Sequence, residues 1–267
     1  MKKYKRYFSF GCSYTSYDWL TVADLIGCNF EEYYNYGKPG GSNQFSWERL
    51  VRAHQKHNLN PETDYITFGV TGPARQHFIK EVLSPITIFK NVKELEYVHN
   101  GDLFPDINQD HDSLSVLWAS NIENWSFAFE RTYTAILSVK SLLDAIGVDY
   151  KIFKTIWEDG GRYIDKGCRK DTYYAIQKLI DIDEDIDTFW AKLDLDERGI
   201  TFEDGVHDGH HTPEVHYKYL QKYFPEFNTS QTIDTYEKWK LIDYRSRERQ
   251  NKRFQKFRDR PGAYYAR

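Results

Sequence analysis

Methionine occurs once in the 267 residues and cysteine three times. Cys12, Cys28 and Cys168 are widely spaced and odd in number. That pattern argues against a disulfide framework or a paired-cysteine metal knuckle and fits a reducing compartment. No run of about 18 apolar residues is present, so no membrane-spanning helix and no membrane partner are expected. The opening MKKYKRYFSF is charged and is not followed by an apolar core with a small-residue cleavage site. The expected location is therefore cytoplasmic. The formal net charge is only −4, which does not suggest a nucleic-acid partner.

The average charge conceals an asymmetry. From Asn228 to Arg267 there are 11 Lys/Arg and 5 Asp/Glu, so the rest of the chain is acidic. The tail is read separately, as a basic, helix-prone extension over 228–267 that follows a domain over 1–227. It is open to three readings: a solvated extension, a docking segment for a protein partner, or a nucleic-acid contact opposed by the acidic body. What is abundant is aromatic. Phe, Trp and Tyr make up 17% of the chain, 21 of them Tyr, and 40% of all residues are hydrophobic. That is enough for the core of one large domain.

The apolar pattern alternates between strand and helix. Residues 5–10 (KRYFSF) read as a strand ending at Gly11, and Asp18 to Ile26 as a helix ending at Gly27. Residues 29–36 read as a second strand stopped by GKPGGSN, Asn43 to His57 as a helix, and 64–72 as a third strand. Helix is then expected over 113–147, strand over 148–157, a helical insert over 172–193 and a last helix over 213–224. Such alternation predicts a three-layer α/β/α sandwich with a mainly parallel sheet. Residues 76–112 read as a polar, irregular loop, long enough to suggest a lid.

Three loops follow strands: GCSYT, NYGKPGGSN and FGVTGPAR. In an open parallel sheet the carboxyl ends of the strands form the ligand crevice, so these loops are expected to face one site. A fourth stretch, EDGVHDGHHTPEVH (203–216), holds four of the nine histidines. Serine, imidazole and carboxylate are the parts of a nucleophilic triad. Other readings of the same residues lack supporting features. A zinc site among His207, His210, His211 and His216 has neither an HExxH helix nor a cysteine pair beside it. GKPGGSN lacks the GK[ST] ending of a phosphate loop. Cys12 reads as a small buried thiol. No metal and no cofactor are expected.

The order Gly11-Cys12-Ser13, then Asn35-x-Gly37-x-x-Gly40-x-x-Asn43, then Asp208-x-His210-x-Thr212-Pro213-x-x-His216 resembles the SGNH (GDSL-type) hydrolase family. It is similar especially to short members from bacteriophage and bacterial genomes, and the resemblance covers about residues 6–225. It implies a flavodoxin-like topology and a serine esterase needing no cofactor, acting on an acylated carbohydrate or another small ester. Ser13 would be the nucleophile, and the N–H groups of Ser13 and Gly40 would donate to the oxyanion. The third block carries Thr71 or Gly72 where the family has asparagine, so Thr71 or Arg75 would assist. Arg75 and Asn43 are further candidates for holding substrate, Arg75 alternatively for pairing a structural carboxylate and Asn43 for anchoring a loop. Thr212 and Pro213 suit a helix N-cap and first turn. In the family the base lies two residues before that cap, which is His210, with Asp208 as its carboxylate. His211 is the alternative base, by D-x-x-H spacing from Asp208, and Asp204 with His207 has the same spacing farther from the cap. A non-catalytic binding or virion-associated protein on the same fold is the competing expectation.

Overall fold

The computed structural model describes residues 4–73, 75–81, 95–102, 125–157, 169–193, 199–203, 205–240 and 246–265. Strands β1 (Arg6–Phe10), β2 (Glu32–Asn35) and β3 (Asp64–Val70) alternate with helices α1 (Val22–Gly27) and α2 (Asn43–His57). An antiparallel pair follows, β4 (Arg75–Glu81) with β5 (Leu95–Asp102), where the sequence suggested irregular loop. Helix α3 (Trp125–Ile146) leads into β6 (Asp149–Lys154). The insert read as one helical stretch is two helices, α4 (Lys170–Gln177) and α5 (Ile186–Ala191). A two-residue ribbon, β7 (Ile200–Thr201) with β8 (His207–Asp208), precedes α6 (Pro213–Tyr223). The chain ends in α7 (Ser230–Trp239), α8 (Arg247–Arg258) and β9 (Ala263–Tyr265). The expected helix over 113–124, most of the expected lid, Asp204 and Cys168 lie outside the described residues.

The main sheet has the order β6-β3-β1-β2-β9, and every pairing in it is parallel. Its first four positions give the 2-1-3-4 order of a flavodoxin-like sheet. A fifth strand beyond β6 is reduced to one parallel bridge, Phe153 to Ile182.

Side-chain alternation along the strands divides the core into two layers. Tyr7 on β1, Tyr65 on β3 and Phe153 on β6 face a cluster built from Leu25 and Ile26 of α1, Phe189 of α5, Tyr219 and Leu220 of α6, and Phe254 and Phe257 of α8. Phe8 and Phe10, Ile66 and Phe68, and Ile152 face the opposite cluster, built from Leu50 of α2, Ile136 and Val139 of α3 and Ile176 of α4. Helices thus cover both faces, and β3 is buried along its whole length, as a central parallel strand should be. The molecule is an α/β sandwich. Among the described residues beyond 227, α7 and α8 are helical and the segment after them returns to the sheet: Tyr33, Tyr34 and Asn35 of β2 register with Ala263, Tyr264 and Tyr265.

Candidate active site

Ser13 sits in the turn that carries the chain off β1. The amides of Thr15 and Ser16 both donate to the Cys12 carbonyl, at 3.0 and 3.2 Å, so the turn closes directly around the serine. Gly11 permits it. Its φ is +151°, and a Cβ there would lie 2.3 Å from Thr15 Oγ1, so only glycine fits. Ser13 does not cap the following helix. Thr21 is the N-cap, in a capping box with Asp24, eight residues farther on. The hydroxyl of Ser13 is thus not engaged in capping. Cys12 is fully buried, its Sγ 3.5 Å from Thr155 Oγ1, in a packing role.

Asp208 and His210 come from the ribbon before α6. Gly199 has a φ of +86°, and a Cβ there would lie 1.9 Å from the Asp208 carbonyl, so glycine lets the ribbon close. On β8, His207 points to solvent and contacts Thr201 (3.0 Å), while Asp208 points inward. The Asp208 Oδ1 accepts from the His210 amide at 3.0 Å and lies 2.9 Å from His210 Nδ1. One carboxylate oxygen therefore fixes both the backbone and the ring two residues on, which is the physical content of the D-x-H spacing. His210 Nε2 lies 3.0 Å from Ser13 Oγ. With the proton on Nδ1 facing the carboxylate, Nε2 is left to accept from the serine. The Asp208 side chain is 3% exposed and that of His210 is 35% exposed, so the chain of contacts runs from the interior to the surface.

Tyr17 supports both partners, and the sequence reading overlooked it. Its hydroxyl donates to the other Asp208 oxygen at 2.6 Å. Its ring stacks on His210 with centroids 3.8 Å apart and planes at 26°. Burial alone would raise the Asp208 carboxyl, but hydrogen bonds from the His210 ring, the Tyr17 hydroxyl and the His210 amide hold it down to about 2. The guanidinium of Arg258, on α8, donates to the Tyr17 carbonyl. The only sequence hint to Tyr17 is an aromatic residue four positions after the serine.

The structure brings Ser13, His210 and Asp208 together and sends His211 elsewhere. The His211 ring is buried and its Nε2 lies 2.7 Å from Asp187 Oδ1, which also accepts from Tyr14 at 3.1 Å. The His211 carbonyl accepts from Trp19 Nε1 at 2.8 Å. Thr212 holds the N-cap position of α6 and Pro213 follows at its first turn, although the threonine hydroxyl makes no cap bond. His216, on α6, is fully buried, and desolvation, with His211 and His210 nearby, lowers it to about 3, so it is neutral.

The other candidates lie on the two neighbouring loops. The Lys38 amide donates to the Gly11 carbonyl at 2.9 Å, which ties the loop carrying Gly40 to the serine turn. Gly40 has a φ of +75°, and nothing lies within 4 Å of where a Cβ would stand. Asn43 is not free to hold a substrate. Its amide nitrogen donates to the Thr71 carbonyl and its oxygen accepts from the Thr71 amide, both at 2.9 Å, so it clamps the third loop to α2. The Thr71 hydroxyl is buried and has no hydrogen-bond partner among the described residues. Arg75 opens β4, half-buried, directly after that loop. Among the described residues no group of three or more His, Cys, Asp or Glu is arranged to hold a metal ion, and no helix is long and apolar enough to cross a membrane.

Fold and site together define an α/β sandwich protein with a serine, a histidine and an aspartate in hydrogen-bonded series at the carboxyl edge of its sheet. No family model matches the chain and no curated protein matches it. Among solved structures it is similar to a proposed lipolytic protein of the G-D-S-L family from Desulfitobacterium hafniense DCB-2. The identity is 10% and the TM-score 0.41, over 84% of this chain and 99% of that one.

Proposed function

We propose that this protein is an SGNH-type serine hydrolase that cleaves esters through an acyl-enzyme. The observation that carries the reading is the unbroken series Ser13 Oγ, His210 Nε2, His210 Nδ1 and Asp208 Oδ1, at 3.0 and 2.9 Å. In this reading Ser13 attacks the ester carbonyl while His210 Nε2 takes its proton. The tetrahedral intermediate collapses, and His210 returns the proton to the leaving alcohol. Water, activated by the same imidazole, then attacks the acyl-serine and releases the acid. Asp208 holds the ring in the required tautomer and stabilises its charged form. The N–H groups of Ser13 and Gly40, with the unpartnered Thr71 hydroxyl, are proposed as the oxyanion donors. Arg75 is proposed to help there or to hold substrate, and Asn43 to position the third loop. The substrate would be an acylated carbohydrate or another small ester.

Turnover of p-nitrophenyl acetate tests the reading. Ser13→Ala and His210→Ala should each lower kcat by about a thousandfold or more with the fold intact by circular dichroism. A Ser13→Ala protein as active as the wild type would contradict it.

A further inference from the structure

A cavity of about 690 Å³ lies beside the serine turn, between the loop that carries Gly40 and the returning C-terminal segment. Ser16 to Asp18 form one wall and Gly37 to Pro39 another. Tyr34 of β2, Tyr36 just after it and Lys56 of α2 also line it, and α8, Asp259 and β9 contribute the rest. Neither Ser13 nor His210 lines it, yet both adjoining loops lead to them. Lys38 is anchored to Gly11 two residues before the serine, and Tyr17 stacks on His210.

Most of the polar groups around this cavity are already committed. The Tyr34 hydroxyl donates to Glu32 (2.5 Å), that of Tyr36 contacts His57 (2.8 Å), and that of Tyr265 donates to Asp24 (2.8 Å). Asp259 accepts from Gln255 (2.7 Å), and the other lining carboxylate, Asp18, is not free either. Arg258 is held by the Tyr17 carbonyl and by the faces of Phe254 and Tyr265. Besides the Ser16 hydroxyl, three groups remain uncommitted among the described residues. The ammonium groups of Lys38 and Lys56 make no ion pair or hydrogen bond there. Tyr264 is 51% exposed, with one ring face stacked on Tyr34 at 4.7 Å.

Two unpaired cations and an open aromatic ring, in a cavity larger than one sugar ring, select for a ligand with negative charge and a stackable face. We infer that this cavity binds an acidic, uronate-bearing oligosaccharide, Lys38 and Lys56 facing its carboxylates and Tyr264 stacking on a sugar ring. The inference deepens the esterase reading and rests on it only for the delivery of an ester to Ser13: a chain held against Lys38 runs toward the serine turn.

Binding is measurable without turnover. Ser13→Ala protein is titrated by calorimetry with a hyaluronan tetrasaccharide and, separately, with neutral chitotetraose. The acidic oligomer should bind at least tenfold tighter, and its affinity should fall as salt rises. Lys38→Gln with Lys56→Gln, and Tyr264→Ala, should each weaken it about tenfold while circular dichroism is unchanged. Equal affinity for the two oligomers, or no binding of the acidic one, would overturn the inference, and neither result needs a variant of the cavity. Failure of the two readings is separable. Binding of the acidic oligomer by a protein that turns over no ester would refute the hydrolase and leave the cavity assignment standing. Turnover lost in Ser13→Ala, without oligomer binding, would do the reverse.

Discussion

At the scale of single residues, the proposed chemistry depends on how Asp208 is held. One of its oxygens serves the His210 ring and amide, and the other serves Tyr17. Tyr17→Phe keeps the ring stack and removes one charge-assisted hydrogen bond, an interaction worth about 1.5–3 kcal/mol. The Asp208 carboxyl should then rise from about 2 toward the ordinary range. In steady-state kinetics with p-nitrophenyl acetate kcat should fall about tenfold with KM nearly unchanged, because Tyr17 would orient the proposed base and this small ester does not depend on the cavity that Tyr17 helps to line. A second residue-scale effect belongs to His216. Its folded pKa, about 3, lies below the ordinary value of about 6.5, so the unfolded chain binds the extra proton between those limits. Its contribution to stability is complete above about pH 6.5 and is lost as pH falls toward 3. Urea unfolding of the wild type at pH 7 and pH 5 should show this loss, and His216→Phe should flatten the difference. At this scale the sequence was informative where chemistry dictates spacing. D-x-H before T-P marked Asp208 and His210, since a carboxylate two residues before a histidine reaches both its amide and its ring. The pairing of His211 with Asp187 was not legible, because it depends on how α5 packs against α6.

At the scale of elements, the strands and helices with strong periodicity were readable. The Asn43–His57 helix has the bounds that its pattern predicts, ending at Asn58 in the left-handed region with φ 49°. The elements that escaped are short or depend on a distant partner. β9 has three residues, and nothing local distinguishes it from loop until β2 is beside it. The β4–β5 pair is likewise defined by cross-strand hydrogen bonds and not by composition. A solvated extension was one of three readings of the charge-rich tail, yet α8 buries Phe254 and Phe257 in the core with only 1% and 2% exposure. Phe254→Ala should therefore cost about 3–5 kcal/mol in chemical denaturation, the range for a buried aromatic residue. A loss under 1 kcal/mol would mean that the segment does not belong to the core.

At the scale of the whole molecule, the parallel sheet gathers three loops at the carboxyl ends of β1, β2 and β3, and the ribbon before α6 supplies His210, the proposed base, from the other end of the chain. The C-terminal segment then reaches back over β2 and holds Tyr17 through Arg258. The parallel sheet aligns the ends of β1, β2 and β3, which the alternation of apolar residues made legible, while His210 reaches Ser13 from a separate ribbon tied to Tyr17 and Trp19 by hydrogen bonds. The central claim, that Ser13 is a nucleophile activated by His210, is tested most directly by intact-mass analysis after exposure to a fluorophosphonate. The wild type should gain a single adduct, located on Ser13 by peptide mapping. Ser13→Ala should gain none, and His210→Ala should react at least a hundredfold more slowly. An unlabelled wild type, or an adduct that persists in Ser13→Ala, would contradict the account.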